Sequence, residues 1–291
     1  MSYIFGHPEI KQVGTQGQGP LFEGKRCLVT GASSGIGYGI AERLLQRGAG
    51  EVWLCSRNEG RMRAAAEKLN KAYGRVRWTA VDVRDAAGLA KFADDMAAEG
   101  PIDFLFANAG VSMIRAFEET TREELDSVME PNFYGVVNAD QAVIGHMLRQ
   151  GGGHVLNVAS MEGYTPNGYH SAYVASKHAV IGLTESLRYE YASRNIRFSV
   201  ICPGAVVSNI WGRDDQGNVH PEVKAPEGAL TELESADEIL AGIEEGRNII
   251  LVTDTARTTW EKQRQAPESA ERWAVRYTER NRQAAERAKN S

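Results

Sequence analysis

The sequence predicts a doubly wound α/β domain built on a parallel sheet. Apolar strand-like runs alternate with stretches of helical periodicity from about residue 26 to residue 252, and the first strand meets the first helix through a glycine-rich turn. Size agrees, because 291 residues with 42% apolar side chains can bury one sizeable core in a single domain. Strands are expected near 26 to 30, 51 to 56, 76 to 81, 102 to 107, 153 to 159, 196 to 202 and 248 to 252. Helices are expected between them, near 36 to 48, 59 to 73, 85 to 99, 121 to 149, 171 to 194 and 235 to 245. Right-handed crossovers join such units, and ligands bind at the carboxyl ends of the strands.

Each element brings a chemical group to those ends. The first strand, about Cys27 to Thr30, runs into Gly31, Gly35 and Gly37 and then into an amphipathic helix carrying Ile36, Ile40, Leu44 and Leu45. Glycines let the backbone turn tightly and approach a pyrophosphate, which the amides at a helix N-terminus stabilise. The spacing is G-x3-G-x-G, not the commoner G-x-G-x-x-G. The second strand ends at Ser56 and Arg57, the third near Asp82 and the fourth at NAG, residues 108 to 110. The fifth, HVLNVAS, ends at Ser160. In the following helix, YVASK places Tyr173 and Lys177 one turn apart on the same face. A phenol with an ordinary pKa of roughly 10 becomes a useful proton donor and acceptor when a neighbouring cation favours the phenolate. Lys177 stands where that cation is needed, and Ser160 can hydrogen-bond a carbonyl oxygen while Tyr173 exchanges its proton.

Through TGASSGIG (30 to 37), Asp82, NAG, Asn132, Ser160, the Tyr173/Lys177 pair and Pro203-Gly204, the chain resembles the short-chain dehydrogenase/reductase family from about residue 22 to 252. The resemblance implies a Rossmann-type, seven-stranded, single-domain fold and a nicotinamide cofactor. Ser160, Tyr173, Lys177 and Asn132 then form the catalytic set, Asn132 through a backbone-held water that links Lys177 to solvent. Gly31, Gly35, Ile36 and Gly37 shape the turn at the pyrophosphate, and Ser33 or Ser34 can add a donor to a 2′-phosphate held by Arg57. Asp82 accepts from the adenine amino group with Val83 alongside, Asn108 supports the central strand, and Gly110 admits the cofactor. Tyr173 and Lys177 also meet the nicotinamide ribose. Pro203, Gly204 and Val206 lie over the nicotinamide, with Ser208 supplying a hydroxyl where many relatives have Thr.

An NAD site usually carries an acidic residue at the end of the second strand, where it accepts from the ribose 2′-hydroxyl and repels a 2′-phosphate. Ser56 and Arg57 stand at this place instead, and a guanidinium holds a phosphate through charge-assisted hydrogen bonds. NADP(H) is therefore favoured over NAD(H). The loops after the fourth, fifth and sixth strands are expected to wall the substrate pocket with Ser112, Met113, Ile114, Met161, Tyr164, Tyr169, His170, Ile210 and Trp211. Arg115, Arg213 and His220 are candidate polar contacts, and the breaker-rich stretch from Trp211 to about Leu230 is a candidate lid. Such a pocket suits a hydrophobic or aromatic ketone or secondary alcohol.

Composition narrows the rest. A formal charge of -5 gives no reason to expect nucleic acid, and no apolar run approaches the ~20 residues that span a bilayer. Residues 1–22 read as a flexible N-terminal extension without the pattern of a secretory signal, residues 23–255 as the catalytic domain, and residues 256–291 as a C-terminal helical extension. Most of that extension is expected to be a helix beginning near Pro267, with an apolar stripe of Trp273, Tyr277 and Ala284. Cys27, Cys55 and Cys202 fall in expected strands and read as small buried residues in a reducing, cytoplasmic setting. The six histidines show no metal-ligand spacing. The resemblance implies a homodimer or homotetramer built on the helices near 121 to 149 and 171 to 194.

The sequence thus points to an NADP-dependent oxidoreductase acting on a small carbonyl or alcohol substrate, with reduction favoured. The alternative is an NAD-dependent alcohol dehydrogenase acting on an aryl or benzylic secondary alcohol. A non-catalytic NADP-binding regulator would be expected to lose the catalytic pair, which is intact in this chain.

Overall fold

The computed structural model describes residues 20–211 and 225–268 and, beyond them, residues 271, 274, 275, 278, 279, 281–283 and 286. Residues 1–19, Arg213, His220, Trp273, Tyr277 and Ala284 lie outside the described residues, as does most of the candidate lid. Seven strands form one parallel sheet: β1 Arg26–Thr30, β2 Glu51–Cys55, β3 Val76–Thr79, β4 Phe104–Ala107, β5 Gly153–Val158, β6 Ile196–Pro203 and β7 Ile249–Val252. Their spatial order is β3-β2-β1-β4-β5-β6-β7. The chain therefore reverses its direction of winding between β1 and β4, where a crevice opens beyond the strand ends.

The central strands β1, β2 and β4 bury apolar side chains on both faces because helices cover both, whereas the edge strand β3 leaves Arg77 exposed. Cys27, Val29, Val52, Leu54, Phe104 and Phe106 face one core with Ile40, Leu44, Met62, Leu69, Ile239 and Ile243. These come from α1 Gly35–Gln46, α2 Glu59–Tyr73 and α7 Glu232–Glu244. Leu28, Trp53, Cys55 and Leu105 face the other core with Leu89, Phe92, Met96, Val136, Val143 and Val180, from α3 Ala86–Glu99, α5 Gly135–Gln150 and α6 Ser171–Glu190. All three cysteines are fully buried and free, in β1, β2 and β6. Among the described residues, no helix is long and apolar enough to cross a membrane.

Several boundaries differ from the sequence expectation, each for a local reason. The helix expected over 121 to 149 is α4 Arg122–Met129, a π-helical turn Glu130–Tyr134, and α5. Pro131 has no N–H to offer a preceding carbonyl, so the α-helical ladder is interrupted there. α7 begins three residues earlier than expected, because Thr231 and Glu234 form a capping box in which each accepts from the other's backbone N–H, at 3.2 and 2.8 Å. The extension turns helical well before Pro267: Thr253 caps α8 Asp254–Gln265 by accepting from Ala256 N at 3.1 Å.

Candidate active site

The glycine turn is fixed by close approach. Gly31 adopts φ +68°, and a Cβ there would lie 2.7 Å from the Ala109 Cα; at Gly35, with φ +58°, it would lie 2.8 Å from the Ser208 Cβ. Only glycine meets both the dihedral and the spacing. Across the switch point, Thr30 Oγ1 accepts from the backbone N–H groups of Asn108 and Ala109 at 3.0 and 3.1 Å, and Asn108 Nδ2 returns a bond to the Thr30 carbonyl at 3.0 Å. Asn108 thus ties β4 to β1. Asn209 donates to Ser34 Oγ at 3.3 Å, which brings the loop after β6 onto the first turn of α1. A cradle of this shape, glycine-lined at a helix N-terminus, fits a pyrophosphate.

At the end of β2, Ser33 and Ser56 share a hydroxyl hydrogen bond of 3.1 Å, and Arg57 is exposed beside them. Asp82 is gripped by Arg84, whose guanidinium and backbone N–H bond the carboxylate at 2.7 to 3.0 Å. Desolvation works against ionisation at this carboxyl, but the bonds from Arg84 and the charge of Arg57 hold it below its ordinary range. The sequence pattern assigns Asp82 to adenine without anticipating Arg84.

The catalytic candidates converge beyond β4, β5 and α6. Ser160 is 7% exposed and caps a short 3₁₀ turn, Met161–Gly163, accepting from Glu162 N at 3.1 Å. Lys177 is 3% exposed, and its Nζ donates to the Val158 carbonyl at 2.9 Å. Burial pushes the ammonium down to about 8. Asn132, fully buried in the π-helical turn, accepts from Val111 N at 2.7 Å and donates to the Val111 carbonyl at 2.9 Å and to Ser176 Oγ at 3.0 Å. Ser176 Oγ in turn donates to the Tyr173 carbonyl at 2.7 Å. Asn132 therefore braces the backbone that carries Tyr173. A Cβ on Gly110 would lie 3.1 Å from Asn132 Oδ1 and 3.5 Å from Lys177 Nζ, so this glycine keeps the catalytic corner open.

Lys177 Nζ lies 5.7 Å from the centre of the Tyr173 ring. The sequence spacing predicts that this cation favours the phenolate, yet the structure raises the phenol above its ordinary pKa. Burial is the larger cause and the Glu162 charge adds to it, while a hydrogen bond with Ser160 pulls the other way. Tyr173 is thereby held as a protonated acid. Glu162 was not singled out by the sequence. Its carboxylate binds His170 Nδ1 at 2.7 Å, and the His170 ring sits 5.7 Å from that of Tyr173. His170 is 6% exposed, and its buried Nε2 has no hydrogen-bond partner among the described residues.

The expected substrate residues divide. Met161 abuts Gly204, where a Cβ would lie 3.4 Å from the sulfur. Ser112, Met113 and Ile114 are half-buried. Tyr164 instead turns its ring edge-on to Trp260 of α8, with centroids 4.1 Å apart. The indole of Trp211 donates to the Val206 carbonyl at 2.7 Å, tying down the loop after β6. Val206 is itself 3% exposed, Ser208 lies against Gly35, and Arg115 pairs with Glu124 at 3.3 Å. Thr253, also unforeseen, holds φ +86° despite its branched side chain. Its Oγ1 would be 2.3 Å from a Cβ on Gly204, so it packs beneath the Pro203-Gly204 turn. A surface groove of about 350 Å³ at the β7 edge, lined by Arg247, Leu251, Arg257, Trp260 and Arg264 among others, contains none of the catalytic candidates.

A family model described as short chain dehydrogenase matches residues 25–218. D-threitol dehydrogenase of Mycolicibacterium smegmatis is 38% identical over 189 residues, covering 65% of this chain and 72% of its own. Among solved structures, a short chain dehydrogenase/reductase from Burkholderia phymatum in complex with NAD superimposes with a TM-score of 0.76 at 26% identity, covering 85% of this chain and 95% of its own. A short chain dehydrogenase from Burkholderia cenocepacia in complex with NADP gives 0.74 at 25% identity, covering 87% and 98%. With the parallel seven-stranded sheet and the glycine cradle at its switch point, these matches make the chain a member of the short-chain dehydrogenase/reductase family, an oxidoreductase acting on alcohol or carbonyl groups.

Proposed function

We propose that this protein transfers hydride between NADP(H) and a hydrophobic or aromatic ketone or secondary alcohol, with reduction the favoured direction. The observation that carries the reading is the convergence of buried Ser160 and Lys177 with half-buried Tyr173 beyond β5, together with Ser56 and Arg57 just after β2. The nicotinamide, when bound, supplies or takes up the hydride. Ser160 donates a hydrogen bond to the substrate oxygen, and Tyr173, held protonated by its surroundings, gives that oxygen its proton in reduction. Lys177 places positive charge beside the phenol as the proton leaves, and Asn132 keeps the Tyr173 backbone in register. Ser33, Ser56 and Arg57 form the donor set for a 2′-phosphate. The protein is read as a cytoplasmic homodimer or homotetramer, and the exposed Phe117, Tyr134 and Tyr189 on or beside α4 to α6 support a partner surface there.

Fluorescence titration with NADPH and NADH, repeated on Arg57→Ala, tests the cofactor assignment. Binding at least tenfold tighter for NADPH, abolished by the substitution, supports it; equal or tighter binding of NADH overturns it. The alternative, NAD-linked oxidation of an aryl or benzylic secondary alcohol, is the outcome in which NADH wins.

A further inference from the structure

The C-terminal segment grips the loop that carries the substrate side of the site. The loop runs from Met161 to His170, between Ser160 and the helix of Tyr173. At its near end Tyr164 meets Trp260 of α8 edge-to-face at 4.1 Å. At its far end one residue is held twice: Gly168 N donates to Thr278 Oγ1 at 3.0 Å, and Asn281 Nδ2 donates to the Gly168 carbonyl at 2.9 Å. Asn281 is only 5% exposed, so its amide is committed to this contact. A Cβ at Gly168 would lie 2.5 Å from Thr278 Cγ2, so the close approach requires glycine.

What the clasp holds is strained and chemically placed. Tyr169, the next residue, adopts φ +63°, and a left-handed tyrosine persists only where its surroundings over-determine it. Its carbonyl accepts from Arg115 N at 2.8 Å, which joins the loop to the segment that follows β4. His170 follows, bonded to Glu162 at 2.7 Å and packed 5.7 Å from the Tyr173 ring, while Glu162 N bonds Ser160 Oγ at 3.1 Å. A line of direct contacts therefore runs from Thr278 and Asn281 through Gly168 to both Ser160 and Tyr173. All of the gripping residues lie beyond residues 25–218, the stretch matched by the family model.

We propose that Thr278 and Asn281 are positioning residues for the substrate loop, making the C-terminal extension a working part of the substrate site; this rests on the oxidoreductase reading above. Neither residue touches the cofactor cradle, so the extension sets substrate affinity and turnover without setting dinucleotide affinity.

The test uses the full chain with Thr278→Val and Asn281→Leu combined, and Thr278→Ser as the conservative control. Hydrogen exchange of the 161–173 segment, NADPH affinity, and KM and kcat over a panel of aryl ketones and hydroxyketones are read together. The expected result is faster exchange across that segment, a KM raised about tenfold or more with kcat reduced, and an NADPH affinity within twofold of wild type, while Thr278→Ser restores the exchange and kinetics. Faster exchange confined to residues beyond 266, or unchanged KM and kcat in the double variant, overturns the proposal. A wild type that binds NADPH but reduces nothing in the panel would count against the proposed substrate class instead, and the exchange pattern alone would then decide the clasp.

Discussion

Removing the buried charge of Lys177 is expected to stabilise the free protein while abolishing its activity. Lys177→Met keeps the length of the side chain and deletes the ammonium. The fall of the Lys177 pKa from 10.5 to about 8 on burial means that the folded state disfavours the charged form by roughly 3 kcal/mol, at about 1.4 kcal/mol per pKa unit. Losing the bond to the Val158 carbonyl gives back about 1 kcal/mol. The net gain is about 2 kcal/mol at pH 7. With an unfolding entropy of about 2.1 cal/mol/K per residue, it should raise the Tm of a 291-residue chain by about 3 °C. The pH dependence gives the sharper check. Because the folded pKa lies below the unfolded one, wild-type stability from this group is present above about pH 10.5 and is lost as pH falls through about 8. The advantage of the variant should therefore be full at pH 7 and shrink steadily between pH 8 and 10. Calorimetry of both proteins without cofactor across that range reads it directly. A variant that melts at or below wild type at pH 7, with a parallel pH profile, would refute the account of Lys177 as a desolvated charge.

Tyr173→Phe should lower kcat by at least about a hundredfold, the usual contribution of a positioned general acid, while NADPH affinity by fluorescence titration changes less than a few-fold; retained turnover would show that Tyr173 is not the proton donor. Asp140, 2% exposed in α5, is a second buried charge: burial pushes its carboxyl up to about 7, although Asn157 Nδ2 donates to it at 3.0 Å. With the folded pKa above the unfolded one, its contribution to stability is full below about pH 4 and lost as pH rises through 7. Asp140→Asn should therefore match wild type in thermal melts near pH 3, exceed it by about 1 to 2 kcal/mol at pH 5, and exceed it at pH 8 by up to about 4 kcal/mol. Among the described residues, Asp140 Oδ1 and Asn157 Oδ1 are both buried without a hydrogen-bond partner.

The features legible in the sequence are those encoded by neighbours in the chain. The glycine turn, the β5 serine and the Tyr173/Lys177 spacing each occupy a few consecutive residues, and a period of 2 or 3.6 tells which element carries them. Two further signals are equally local: Pro131 marks the interruption of the long helix, and the Thr231/Glu234 spacing marks the true start of α7. The rest of the site depends on contacts that no period encodes. Glu162 acquires its meaning only because His170 closes the loop onto it, and Gly168 because Thr278 and Asn281, more than a hundred residues away, pack against it. The phenol of Tyr173 shows the same limit within one helical turn. Spacing places a cation beside it, but whether acid or phenolate is favoured turns on desolvation and the Glu162 charge, and both work against the phenolate in the free protein. The candidate catalytic residues are each named by a local pattern, whereas the resting protonation of Tyr173 is a property of the packed loop, and that loop is held by the extension lying beyond the family match.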